Sequence, residues 1–152
     1  MFRLGRLIAF LGLCLALGNG VSAGGPDEEA VVKFGIIGTW AVDCSKPLSP
    51  SNPYQTYARG EVYPTRTLSM ATKELDGVFE MRRARLIGSN QLAYTDRKQH
   101  RERPTFDVIL EKTGGRLRSV SSIANDGKVI IREGRFVDTG VPTLAFQRCS
   151  TN

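Results

Sequence analysis

Residues 105–132 read TFDVILEKTGGRLRSVSSIANDGKVIIR, and this stretch decides the fold. Phe106, Val108 and Leu110 alternate with Asp107, Ile109 and Glu111, the period of two that places every second side chain on one face of a strand. Gly114-Gly115 follows, a pair that takes the left-handed backbone of a tight hairpin turn without steric cost. Arg116 to Ala124 then forms a second, serine-rich run, Asn125-Asp126-Gly127 gives a second turn, and Val129 and Ile131 begin a third run. Three strands joined by two tight turns can only be antiparallel neighbours.

The same texture extends outward from this segment. Upstream, residues 35–43 form a run with Ile36, Trp40 and Val42 on one face, followed by a connection over 45–53 with prolines at 47, 50 and 53 that excludes ladder pairing. Runs over 57–63 and 65–72 are divided by Pro64, and Asp76-Gly77 turns the chain into a longer strand over 78–87. In that strand the alternation of Phe79 and Met81 resumes on Ala84 and Leu86, one residue out of phase, which predicts a bulge at Arg82-Arg83. Residues 91–95 make a strand, residues 96–104 a polar loop, and residues 142–149 the last strand. Eight or nine short strands in sequence, with no helical period after residue 35, predict an all-β protein. An antiparallel up-and-down barrel removes the open edges of such a meander, and a two-sheet sandwich is the alternative.

The N-terminus carries a different signal. Arg3 and Arg6 precede an uncharged apolar run from Leu7 to Leu17, and Val21-Ser22-Ala23 offers small residues before a cleavage site. This is the layout of a signal peptide over residues 1–23, cut after Ala23. Its apolar run is too short to span a bilayer, for which about 20 residues are needed. Leu13 stands before Cys14, where a lipidation signal carries a small residue. The expectations are a periplasmic or secreted protein with no transmembrane segment, a flexible leader over 24–34 rich in Gly, Pro and acid, and one barrel domain over 35–152.

Cleavage alters the composition. The full chain has 152 residues, 21 Lys plus Arg, 15 Asp plus Glu, one His and three Cys; loss of the signal peptide removes Arg3, Arg6 and Cys14 and takes the net charge from +6 to +4. Cys44 and Cys149 remain, and an even pair in an oxidising compartment predicts a disulfide. One end follows the first strand and the other ends the last, so the bond would join the two strands that meet when the barrel closes. A loop of about 100 residues closed in this way stabilises by roughly 4.7 kcal/mol in the chain-entropy model.

Gly38-Thr39-Trp40 on the first strand is a G-x-W motif, and with the barrel pattern it resembles the lipocalins and the wider calycin group. The resemblance implies that Trp40 packs across the closed end of the barrel against a basic residue of the last strand, and Arg148 occupies that position. It also implies a small apolar or amphipathic ligand. The tryptophan shortly before a cysteine, with a signal peptide and a leader, is similar to small secreted metalloprotease inhibitors of Gram-negative bacteria, although their second cysteine lies close by. The general layout resembles small exported proteins of alphaproteobacteria.

Chemistry-bearing patterns are few. One histidine and two mature cysteines exclude most metal sites, and no cofactor motif is present, so no cofactor is expected. His100 lies in the cationic run Arg97 to Arg103 with no matched nucleophile, which predicts a solvated loop histidine. Asp107 and Glu111 fall on the outward face of their strand. A non-catalytic protein is expected. Arg82, Arg83, Arg85, Arg97, Lys98, Arg101 and Arg103 form a candidate anion-contacting patch, for an envelope component such as lipid head groups or an acidic glycan, or else a solvated rim. Export excludes nucleic acid as a partner. Ser119, Ser121 and Ser122 are candidates to line a polar cavity, whereas Phe79, Tyr94, Phe106, Leu110, Phe136 and Phe146 could fill the interior. Three functions follow: a monomeric binding protein for a small ligand or an envelope component; an inhibitor or protein-interaction module using the leader and the loop 45–53; and, weakest, a hydrolase.

Overall fold

The computed structural model describes residues 25–102 and 104–149 of the chain; the signal peptide expected over 1–23 and Arg103 lie outside these. It contains one helix, α1 (Pro26–Phe34), and ten strands: β1 (Gly38–Ala41), β2 (Tyr54–Ala58), β3 (Thr65–Ser69), β4 (Gly77–Leu86), β5 (Gln91–Lys98), β6 (Thr105–Thr113), β7 (Arg116–Ala124), β8 (Val129–Arg132), β9 (Arg135–Phe136) and β10 (Phe146–Arg148).

The strands from β1 to β9 pair in sequence order, all antiparallel, and β10 returns to pair with both β1 and β7. That double pairing closes an eight-stranded barrel from β1 to β7 plus β10, with β8 and β9 as two strands beyond the ring. The barrel, not the sandwich, is therefore the architecture. β10 covers only Arg116 and Leu117 of β7, while β8 pairs farther along at Ser122 and Ile123. The β8–β9 hairpin thus continues the wall where β10 stops. The last strand is shorter than residues 142–149 because Thr143 instead ties its segment down: its hydroxyl donates to the Ser119 carbonyl at 2.8 Å.

Cys44 and Cys149 are bonded, with their Cα atoms 5.5 Å apart and 105 positions between them in sequence. The bond lies beside the β1–β10 ladder, where Trp40 pairs with Arg148 and the Cys149 N–H donates to the Thr39 carbonyl at 2.8 Å. The bulge in β4 is also present: the register shifts between Arg82 and Arg85, and Arg83 takes φ of 54°.

The leader departs from expectation. Residues 26–34 are helical, and Val31 and Phe34 are buried in the core beside Ile36 and Trp40. The end signals are local. Pro26 sits in the first turn with Asp27, Glu28 and Glu29, which suit the positive end of the helix dipole; Lys33 lies in the last turn. Gly35 closes the helix at φ of 74°, its N–H bonding the Val31 and Val32 carbonyls. The helix packs on β4 and β5 across one end of the barrel. Asp27 Oδ1 accepts the N–H of Ala84 at 2.7 Å, which satisfies a donor next to the bulge, and Lys112 Nζ donates to the Phe34 carbonyl. Burying a side chain such as Val31 or Phe34 stabilises by about 1.5–3 kcal/mol. What composition suggested as a tether is the plug of the barrel.

Candidate functional site

The barrel has one filled end and one hollow end. Toward α1 the interior is packed by Trp40, Tyr57, Leu92, Leu110 and Leu117, all nearly inaccessible to solvent. Trp40 is fixed there by its indole N–H, which donates to the Ile36 carbonyl at 2.7 Å. Arg148, its neighbour across the ladder, does not stack on it: none of the cation–aromatic contacts among the described residues involves Trp40. The Arg148 guanidinium instead donates to the Ile37 carbonyl and lies over Gly38, 3.3 Å from where a Cβ would be. Gly38, at φ of 128°, leaves room for that approach. The expected pair is adjacent in the sheet, but its cation serves the backbone.

Toward the other end, where β4 and β6 begin, a cavity of about 400 Å³ opens between the strands. Its walls are apolar, from Leu68, Phe79, Phe106, Val108 and Ile131. Leu75, Lys98, Arg101 and Pro104 stand around its mouth. Of the three candidate serines, Ser119 and Ser122 line it, whereas Ser121 faces an outer groove with Arg83 and Arg85. Of the residues expected to fill the interior, Phe79, Tyr94 and Phe106 line the cavity, Leu110 and Phe146 belong to the packed core, and Phe136 is exposed on β9. A second recess of about 240 Å³ shares Gln55, Arg66, Leu68, Ser119 and Ile131 with the first and runs under Phe136 and Leu144.

A charged pair lies in the cavity wall. Arg66 on β3 and Asp96 on β5 both line it, with side chains only 11% and 5% exposed, and an Arg66 Nη2 donor bonds Asp96 Oδ2. The guanidinium lies over the Phe79 ring, 4.4 Å from its centroid. Arg66 Nε and Asp96 Oδ1 are buried and have no hydrogen-bond partner among the described residues. Tyr57 and Tyr94 sit below the pair, and the Tyr57 hydroxyl donates to Gln55 Oε1 at 2.6 Å. Burial pushes the Asp96 carboxyl above its ordinary range, against the pull of Arg66. Burial likewise raises both phenols, with the Asp96 charge adding to it, so they stay protonated. Burial disfavours the charge on Arg66, but the Asp96 carboxylate outweighs it and holds the guanidinium charged.

Of these four residues only Tyr94 is singled out from sequence, as a candidate to fill the interior. Asp96 had been placed in a polar loop, yet β5 continues to Lys98 and Asp96 follows Leu92 and Tyr94 on the inward face. The period-two pattern was the available signal; a charged residue at an inward position concealed it.

The cationic patch divides. Arg82 and Arg97 both pair with Glu80, at 2.7 and 3.4 Å, and Arg82 also covers Tyr63. Arg83 bonds Thr95 and lies 3.2 Å from Asp107. These residues, with Arg85, are on the outer wall, whereas Lys98 and Arg101 stand at the cavity mouth. They form two groups instead of one face, and most of the wall cations are matched by carboxylates. His100 is exposed in the turn between Lys98 and Arg101. The proline-rich loop is tied from within by Asn52, whose Nδ2 donates to the carbonyls of Asp43, Lys46 and Pro47 and whose Oδ1 accepts the Asp43 N–H.

Among the described residues no group of His, Cys, Asp and Glu is placed to hold a metal ion, and no helix is long and apolar enough to cross a membrane. The fold and the site define a small closed antiparallel β-barrel, plugged at one end and hollow at the other. No protein family, curated protein or solved structure matches this chain.

Proposed function

We propose that this chain is a non-catalytic, exported binding protein that takes a small amphipathic ligand in the hollow end of its barrel. The observation that carries this is the cavity itself. Its volume of about 400 Å³ lies within the roughly 300–1,000 Å³ of small-molecule sites, and it has their composition: apolar walls with a few buried polar groups. A barrel evolved only for packing would fill this space, because voids forfeit both dispersion and burial energy. The G-x-W motif on β1 and the closed barrel support a lipocalin-like role. Residues 1–23 and the Cys44–Cys149 bond support export.

The alternative, an inhibitor-like module, is left with the loop 45–53 alone, since the leader it would project is α1, packed on the barrel. Contact with an anionic envelope surface is weakened because Arg82, Arg83 and Arg97 already face carboxylates. The test is native mass spectrometry of the protein purified from its own periplasm, with titration of a neutral fluorescent probe, N-phenylnaphthylamine, into the purified protein. A retained small molecule, or saturable probe binding lost when Ser122→Trp fills the cavity, is the expected result. A protein that carries nothing and never binds the probe refutes the proposal.

A further inference from the structure

The Arg66–Asp96 pair sets the chemistry of the ligand's polar end, an inference that rests on the cavity being a ligand site. Both residues line the cavity, and both are almost wholly removed from water. They spend one hydrogen bond on each other, Nη2 to Oδ2. Two atoms of the pair are left buried without a partner among the described residues: a donor, Arg66 Nε, and an acceptor, Asp96 Oδ1. A buried polar atom without a partner costs about 1–3 kcal/mol, and a head group that both accepts and donates, admitted by a small shift of the two side chains, would satisfy both atoms. The two charges cancel. An anionic head would meet the guanidinium already neutralised and would bring its charge beside the Asp96 carboxylate; a cationic head would stand beside Arg66 in the same way. Each would also leave its own solvation behind without a free counter-charge to replace it. The polar end meets the edge of this pair beside the Phe79 ring that covers the guanidinium, while the alkyl or ring portion lies along Phe106, Val108 and Ile131.

We infer that the ligand is an uncharged amphiphile whose head carries a hydrogen-bond acceptor and a donor together, such as a primary amide, a lactam or an alcohol, docked on Arg66 and Asp96. Fatty-acid anions and alkyl ammonium ions are thereby selected against. Selection arises from pairing within the protein: an unpaired arginine in this wall would choose the carboxylate.

The experiment is displacement of N-phenylnaphthylamine from the full mature chain at pH 7.5 by octanamide, octanol, octanoate and octylammonium, which share one alkyl length and differ in the head. Octanamide and octanol are expected to displace the probe at concentrations about tenfold lower than either ion, the factor that 1.4 kcal/mol represents. In Asp96→Asn the order inverts and octanoate becomes the strongest competitor. Should that variant not fold, Arg66→Met/Asp96→Leu, which removes both charges, is expected to bind the probe as before and to lose about tenfold for octanamide, the factor that 1.4 kcal/mol represents. Octanoate or octylammonium competing as well as octanamide in the native chain overturns the inference and leaves the cavity reading standing. So does a double variant that keeps its full affinity for octanamide, or a bound probe that none of the four displaces. Failure of the probe itself to bind would remove the cavity reading instead, and this inference with it.

Discussion

Arg66 and Asp96 should respond very differently to removal, and the difference follows from which of them can shed its charge. Asp96→Ala leaves a guanidinium that stays protonated at any accessible pH in a position where its side chain is 11% exposed. Breaking a buried pair in this way costs about 3–5 kcal/mol. Arg66→Met leaves Asp96, which can take up a proton, and burial already holds its carboxyl above the ordinary range. The sign of the pH effect follows from linkage. A carboxyl whose folded pKa lies above its unfolded one contributes fully below the unfolded value and loses that contribution as pH rises through the folded value. Loss of the arginine removes the main influence opposing that shift, so Arg66→Met should be much less destabilised at pH 5 than at pH 8, while Asp96→Ala, which keeps no carboxyl to protonate, should gain no such relief from acid. Arg66→Met/Asp96→Leu, with neither charge, should match the native protein or exceed it by about 1–4 kcal/mol. Trp40 is the only tryptophan, and it is buried at the plugged end, so urea unfolding followed by its fluorescence reports the whole barrel. Equal losses for the two single variants across that pH range, or a double variant as weak as Asp96→Ala, would show that the pair is not desolvated in the way the structure places it.

Other perturbations are simpler to read. Cys44→Ser/Cys149→Ser should cost up to about 4.7 kcal/mol, measured by urea unfolding against the oxidised protein, and a non-reducing peptide map should contain the cross-linked pair. Asp27→Ala leaves the Ala84 N–H without its acceptor and should cost about 1–3 kcal/mol; an unchanged midpoint would mean that α1 does not dock on the bulge. Phe34→Ala, which empties part of the plug, should cost about 3–5 kcal/mol by the same measurement. Sequencing the N-terminus of the periplasmic protein should begin at Gly24; a start at Met1 would refute the cleaved signal.

The parts of this fold that were legible in the sequence are those with short-range causes. Alternation over residues 105–112, the glycine turns after it and the phase slip at Arg82-Arg83 are local patterns, and each became the strand, turn or bulge it implied. The disulfide was legible for a different reason: Cys14 falls within the expected signal peptide, which leaves two cysteines, so pairing needed no geometry. The helix was missed although its signals were also local. Pro26, the three acids and Gly35 mark its ends, but a nine-residue helix has little periodicity to display, and its own helical propensity would not hold it in water. It exists because Val31 and Phe34 complete a barrel that is built by residues far away in sequence.

The same dependence on distant partners hid the site. Arg66 and Asp96 are 30 positions apart and on strands that are not neighbours, since β4 lies between them. Each looks ordinary in its own segment: a charge in a run of threonines, and a charge at what seemed the start of a loop. Pairing of β3 and β5 on either side of β4 brings the two inward-facing charges together beside Phe79, and only their isolation from water makes the pair costly enough to demand a reason. Surface charge, by contrast, was conspicuous in the sequence and proved largely self-matched along β4, β5 and β6. In a barrel of this size, charges on the outer face are what solubility requires. A charge that faces inward carries the information about function, and strand period, counted one pair of residues beyond Tyr94, is the device that would expose it.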